Sequence, residues 1–321
     1  MDLPHRAKRT AVRALNHKRF RAASARMRIL PSFLIIGAQR AGTTTFFNQL
    51  MRHPDICGPS GTGVSWARKE LHFFDEHIDL GPNWYREFFP LVTNRGLARL
   101  RGGDLQAGEA TPYYLFDPRV PERVAAVLPD VRLFALLRDP VDRAYSHYQM
   151  MVRSNREHLS FEAALASEEE RLAGAEELAE GLESPAERNQ RRKFHHRHHS
   201  YFSRGLYADQ LERWLAYFPR SQLFILEAED FFARAAETYP EALDFLGVRK
   251  FELEELPVTA TTASPGKPWS NKKTRNRASY EQMRPETRAE LEERFAKPNA
   301  RLAELLGREF RWAPHLAELP S

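Results

Sequence analysis

Phe33-Leu34-Ile35-Ile36-Gly37-Ala38-Gln39-Arg40-Ala41-Gly42-Thr43-Thr44-Thr45 is the stretch from which the rest of the 321 residues can be read. The apolar run Phe33 to Ile36 predicts a buried strand. Thr43 to Met51, with Phe46, Phe47, Leu50 and Met51 at its apolar positions, predicts a helix. A turn with two glycines lies between them. Strand, glycine turn and helix in that order bring backbone N–H groups and a positive helix end to one point, which is a phosphate cradle. The spacing Gly37-x4-Gly42-x-Thr44 matches a Walker A loop except that Thr43 stands where the loop carries its Lys. That Lys neutralises the β/γ-phosphates of a nucleoside triphosphate, so its absence argues against ATP or GTP hydrolysis while the anion cradle remains. Arg40 supplies a cation from inside the loop. The alternative is a glycine turn that merely joins a strand to a helix.

The length suits one large α/β domain or two small ones. Charged residues make up 28% and apolar ones 42%, and the net charge is +5, a balance suited to anionic ligands without identifying one. Cys57 is the sole cysteine, which excludes an internal disulfide and points to a reducing, cytoplasmic location. No apolar run reaches the length that spans a bilayer, and no secretory h-region is present.

Residues 1–30 set nine Lys and Arg residues against the single acid Asp2. They read as a poorly ordered basic extension. The alternatives are a peripheral membrane contact, a nucleic-acid arm or a transit-like peptide. Downstream, Lys69-Glu70-Leu71-His72-Phe73-Phe74-Asp75 alternates with period two. On a strand, Glu70 and His72 would share one face, a carboxylate beside an imidazole as in general-base catalysis; a solvated strand edge is the competing reading. Pro82 to Pro90 contributes Trp84, Tyr85, Phe88 and Phe89 to packing. Leu105 to Glu109 reads as a short strand and Pro118 to Leu128 as a helix. Val131 to Leu137 is the clearest buried strand, and it runs into Arg138-Asp139-Pro140 and a helix carrying Arg143, Ser146 and Tyr148. Arg138 at that strand end, with Ser146, suits a second phosphate, or Arg138 pairs with Asp139 at the helix start.

Residues 153–204 break the α/β rhythm. Phe161 to Leu182 reads as an acidic helical stretch, and Arg188 to Arg197 with His195, His196, His198 and His199 as a basic loop, solvated or facing the acceptor. Adjacent histidines without well-spaced partners make a poor metal site, and no nucleic-acid module signature accompanies them. A helix from Tyr207 to Tyr217, a strand from Gln222 to Leu226 and a helix from Glu241 to Leu246 closed by Gly247 follow. Residues 257–279 form a loop with Lys272, Lys273, Arg275 and Arg277. Pro285 to Leu306 predicts a long helix broken at Pro298.

Taken together, the Gly37 to Thr45 loop, Lys69 to Asp75, and Arg138-Asp139-Pro140 with Arg143, Ser146 and Tyr148 resemble the PAPS-dependent sulfotransferases, above all the heparan sulfate branch and its bacterial relatives. Tyr207-Ala208-Asp209-Gln210-Leu211, Pro298-Asn299 and Gly307 to Trp312 extend the resemblance over about residues 31–313, leaving 314–321 as a tail. The resemblance implies a single P-loop-type α/β domain with a central parallel β-sheet flanked by helices. It implies 3′-phosphoadenosine 5′-phosphosulfate (PAPS) as donor, 3′,5′-ADP as product and no required metal. Gln39, Arg40, Ala41, Gly42, Thr43, Thr44 and Thr45 would hold the 5′-phosphosulfate, and Arg138 and Ser146 the 3′-phosphate. Lys272, Lys273 and Arg275 would contact phosphate from a second loop. Glu70 would be the catalytic base, with His72 and Asp75 near an acceptor that the resemblance makes a glycan. PAPS has no γ-phosphate, which fits the missing Walker lysine. Arg40 stands where the family usually has Lys. The other classes to exclude are a P-loop nucleotide kinase and a non-catalytic protein that binds anionic glycans.

Overall fold

The computed structural model describes residues 20–59, 69–173, 193–253, 282–310 and 312. Its centre is a parallel five-stranded sheet in the order β2-β3-β1-β4-β5: β1 Phe33–Gly37, β2 Ile56–Cys57, β3 Gln106–Ala110, β4 Arg132–Leu137 and β5 Leu223–Glu227. β1 lies between β3 and β4, with Phe33 opposite both Gly108 and Arg132. All five of its residues are buried, which is why its sequence is continuously apolar rather than alternating. Helix α1, Thr43–Leu50, packs on the sheet through fully buried Phe46, whose ring meets Phe134 edge-on at 5.2 Å and Phe231 at 5.4 Å. The expected α/β domain with helix-flanked parallel strands is the fold observed.

Topology places the site. From β1 the chain leaves toward β2 on one side, and from β4 it leaves toward β5 on the other. A crevice therefore opens at the carboxyl ends of β1 and β4, between Gly37 and Leu137. The sheet's edges differ. β2 is two residues long. Along β5, Arg220 donates from Nη1 to the Leu223 carbonyl at 2.5 Å, and Arg308 donates to the Ile225 carbonyl at 3.2 Å.

Packing between β1 and β3 requires a residue without a side chain. A Cβ on Gly108 would lie 2.3 Å from Phe33 Cζ, and the Phe33 ring is itself wedged edge-on against Phe134. Gly108→Ala is therefore expected to cost about 1–3 kcal/mol through overpacking, read as a lowered Tm, whereas an unchanged Tm would show that the ring has room to move.

The earlier helix α2 is Phe73–Glu76 and α3 is Val120–Val127, the crossover between β3 and β4. A second apolar cluster joins helix α4, Pro140–Arg153, to the segment that interrupts the α/β rhythm and to the last helix: Val141, Ala144 and Met151 pack with Phe161, Tyr201, Leu291 and Phe295.

Three expectations are corrected. Lys69 to Asp75 is not a strand. Ala110 N–H donates to Lys69 O, the chain turns at His72 (φ 51°), and α2 begins at Phe73, where the Tyr114 hydroxyl accepts the Phe73 and Phe74 N–H groups. Leu71 and Phe73 are both buried, which produced the period of two. The acidic stretch from Phe161 is divided at Ser167 into helices Phe161–Ala166 and Glu168–Leu172, and its remainder beyond 173 lies outside the described residues. Glu168 is not solvated: its carboxylate accepts from the Tyr201, Phe202 and Ser203 N–H groups and from the Ser203 hydroxyl. Finally, Pro298 does not break the last helix, which runs unbroken over Pro285–Leu306. Phe295 before it and Leu302 after it are both buried, and packing on both sides offsets the lost backbone hydrogen bond.

Candidate active site

The loop after β1 is shaped by two left-handed residues, Arg40 (φ 74°) and Gly42 (φ 90°), the second capping α1. Gly37 is required for a different reason: Leu115 Cβ lies 2.5 Å from where its own Cβ would be. The N–H groups of a first helical turn have no intrahelical acceptors, so the start of α1 presents donors and a positive helix end to the crevice. Thr43, at the Walker lysine position, is 4% exposed. Ala41 is buried and Thr44 is exposed.

Arginines from two strand ends meet above this loop. Arg40 donates from Nε to Ser146 Oγ at 3.0 Å, and Arg138 donates from Nη1 to the Arg40 carbonyl at 3.2 Å. Arg138 Nη2 is also 3.6 Å from Asp142 Oδ2. Tyr207, at the start of helix α5 (Tyr207–Leu215), donates its hydroxyl to the Arg138 carbonyl at 2.9 Å. Ser146, on α4, is thus brought to the first loop from 106 residues away. Asp139 caps α4 by accepting from the Val141 and Asp142 N–H groups, rather than pairing with Arg138. Two guanidiniums, a hydroxyl and a helix N-terminus around one crevice are donors of the kind that hold anions.

Beside the crevice stands a carboxylate–imidazole–carboxylate chain. Glu70 Oε1 accepts from Lys69 Nζ at 2.6 Å, Glu70 Oε2 lies 3.4 Å from His72 Nε2, and His72 Nδ1 lies 2.9 Å from Asp75 Oδ2. Asp75 is nearly sealed at 1% side-chain exposure, whereas Glu70 is 42% exposed. Burial disfavours the charge on Glu70, but the His72 hydrogen bond and the Lys69 ammonium outweigh it, taking the carboxyl down to about 2. For His72, burial again opposes charge, and the hydrogen bonds to Asp75 and Glu70 prevail, raising it to about 9. At neutral pH the pair is a carboxylate and an imidazolium. Glu70 and His72 therefore do come together, through the turn at His72 rather than along a strand face.

The turn itself is hung from Glu109, a residue that sequence reasoning left without a role. Glu109 is fully buried at the end of β3 and accepts from Leu71 N–H (3.0 Å), Thr111 Oγ1 (2.9 Å), Tyr114 OH (3.1 Å) and Tyr85 OH (2.5 Å). Burial pushes its pKa up against all four donors. An acid inside the fully buried strand Gln106-Ala107-Gly108-Glu109-Ala110 beside β1 was the available signal.

Residues 193–198 form a short helix where a basic loop, solvated or facing the acceptor, was expected. His196 is 8% exposed and His199 4%. His196 Nδ1 lies 2.5 Å from the Tyr113 hydroxyl, and His199 Nε2 lies 2.8 Å from the Arg156 carbonyl. Burial and nearby guanidiniums push His196 and His198 down to about 3, so both are neutral. Among the described residues no group of three or more His, Cys, Asp or Glu could hold a metal ion. Arg197, also missed, leans onto the turn that carries Glu70 and His72: its Nη2 is 2.8 Å from His72 Nδ1 and 3.3 Å from Asp75 Oδ2, and its Nη1 pairs with Glu76. Gln39 accepts from Arg204. Lys272, Lys273 and Arg275 lie outside the described residues.

Three comparisons bear on this arrangement. The model of the family described as sulfotransferase domain matches residues 30–298. The chain is 32% identical over 220 residues to the bifunctional heparan sulfate N-deacetylase/N-sulfotransferase 3 of Homo sapiens, covering 68% of this chain and 22% of that protein. It is 27% identical over 292 residues to the heparan sulfate glucosamine 3-O-sulfotransferase 3B1 of Mus musculus, covering 88% of this chain and 65% of that protein. The chain thus spans less than two thirds of either curated relative. A solved sulfotransferase from Alicyclobacillus acidocaldarius has a TM-score of 0.59 at 29% identity and covers 88% of this chain and 99% of its own.

Proposed function

This chain belongs to the sulfotransferase-domain family, and from that premise we propose that it moves a sulfuryl group from PAPS to a hydroxyl or amine of a glycan acceptor. The observation that carries the reading is the meeting of Arg40, Arg138 and Ser146 above the first turn of α1. A donor with phosphate groups on both its 5′ and 3′ positions needs two anion subsites a ribose apart. The loop and helix start supply one, and the Arg138–Ser146 side supplies the other. The glycan class follows the heparan sulfate relatives by name.

PAPS supplies an activated sulfuryl group whose leaving group is a phosphate. The chain supplies the rest. Arg40 and the N–H groups of the first turn stabilise negative charge on that phosphate. Glu70 accepts the proton of the acceptor, and His72, held by Asp75, orients Glu70. With its pKa held near 2, Glu70 is a weak base until its hydrogen bonds from Lys69 and His72 loosen, so acceptor entry beside its exposed edge is part of its activation. A nucleotide kinase is disfavoured because Thr43, buried at the lysine position, cannot reach a γ-phosphate.

The test is transfer from radiolabelled PAPS across a panel of glycans, lipids and phenols, with a parallel titration of 3′,5′-ADP. Label on a glycan and saturable 3′,5′-ADP binding are expected. Magnesium-dependent turnover of ATP, or glycan binding without transfer, would replace this reading with a kinase or a glycan-binding protein.

A further inference from the structure

Arg204 connects the donor loop to the catalytic turn. It is 3% exposed, and its acceptors are neutral: Ser200 Oγ from Nε at 2.7 Å, the His196 carbonyl at 3.0 Å and the Arg197 carbonyl at 2.6 Å from Nη2, and Gln39 Oε1 from Nη1. The carbonyls belong to the end of the 193–198 helix, where intrahelical donors run out. Its guanidinium therefore caps the helix that carries Arg197 while holding Gln39 of the loop after β1. Its own footing is firm. Glu168 gathers the N–H groups of Tyr201, Phe202 and Ser203, and Gln210 Nε2 donates to the Ser203, Arg204 and Leu206 carbonyls. Both the Arg204 and Arg197 guanidiniums lie over the Tyr113 ring, at 5.0 and 5.1 Å.

A buried cation with neutral partners is costly to keep. Burial, and after it the neighbouring Arg143 and Arg197 charges, lower its pKa to about 9, although Tyr113 and the Glu168 carboxylate partly offset this. We propose that Arg204 is a positioning residue that acts through Arg197: it fixes Arg197 against His72, Asp75 and Glu76, and ties that placement to the loop that holds the donor. The proposal rests on the assignment of His72 to the reaction given above.

The groups facing His72 are Glu70, itself paired with Lys69, then Asp75 and Arg197. Arg197 is the only one of these that opposes a positive imidazole directly, so its withdrawal raises the His72 titration midpoint above its value of about 9. The first readout is that midpoint, followed by NMR in the folded protein without donor or acceptor. It therefore reports on Arg204 whatever the donor proves to be. Arg197→Gln is expected to raise it. Arg204→Lys, which keeps charge but loses the fork, and Ser200→Ala, which removes the Nε acceptor together with the hydroxyl that donates to the His196 carbonyl at 2.8 Å, are expected to raise it in the same direction. Neither should raise it further in the Arg197→Gln background.

The second readout is turnover. Arg204→Lys should lower kcat by about 10²-fold, the scale of a misplacement near 1 Å, and most of that loss should disappear when Arg197 is already replaced by Gln. Additive losses, or an unmoved His72 midpoint in folded Arg204→Lys and Ser200→Ala proteins, would reduce Arg204 to a local strut and overturn the proposal.

Discussion

Glu70→Gln is expected to lower turnover by about 10²- to 10⁴-fold, the range that a positioned general base contributes, while 3′,5′-ADP binds as in the parent protein. The substitution keeps shape and removes the ability to take a proton. It also leaves one carbonyl oxygen where two carboxylate oxygens received Lys69 and His72. A midpoint change at His72 should therefore accompany the loss of turnover: without the negative charge, the imidazole falls from about 9 toward its ordinary range, held up by Asp75 alone. The stabilisation that His72 lends the fold is fully present below its unfolded pKa and is lost as pH rises through the folded one. In the Glu70→Gln background that stabilisation should be smaller, and its loss should be complete at lower pH. Turnover at the parent rate would remove Glu70 as the base and transfer that role to another group beside the crevice.

Arg138→Ala should weaken 3′,5′-ADP and PAPS by about 2–5 kcal/mol, the cost of truncating one member of a desolvated, charge-assisted pair. Adenosine 5′-phosphosulfate, which lacks the 3′-phosphate, should be far less affected. The comparison between ligands matters because Arg138 also donates to the Arg40 carbonyl. If the guanidinium mainly shapes the loop, all three ligands weaken together and the 3′-phosphate assignment fails. Arg138→Lys should recover part of the charge but not the simultaneous contacts to ligand and loop, because an ammonium lacks the planar fork.

Much of this was legible in residues whose neighbours in sequence are also their neighbours in space. The loop after β1 and the strand running into Arg138 announce themselves because an apolar run, a turn and a helix follow one another without interruption. The nearness of Glu70 and His72 was anticipated for the wrong reason. Alternating Leu71 and Phe73 look the same on a strand face and in a turn buried on two sides, and only the long-range donor from Leu71 to Glu109 separates the cases. Arg197 and Arg204 were not legible at all. Their roles depend on contacts with residues 122 to 165 positions away, and a basic, histidine-rich segment reads as a loop, solvated or facing the acceptor, until Tyr113 and Phe116 are seen to receive it. His196 stacks on Phe116 with ring centroids 4.4 Å apart.

The two guanidinium groups along the outer margin of β5 have a consequence for how molecules of this protein meet. An open parallel sheet ordinarily exposes a row of unsatisfied carbonyls and amides on which another chain can be templated. Here Arg220 and Arg308 occupy the Leu223 and Ile225 carbonyls, and the opposite margin is a strand of two residues. A strand approaching the β5 margin finds these two carbonyls already taken, and one approaching the other margin finds a ledge too short to register on, so neither is a ready template for a further strand.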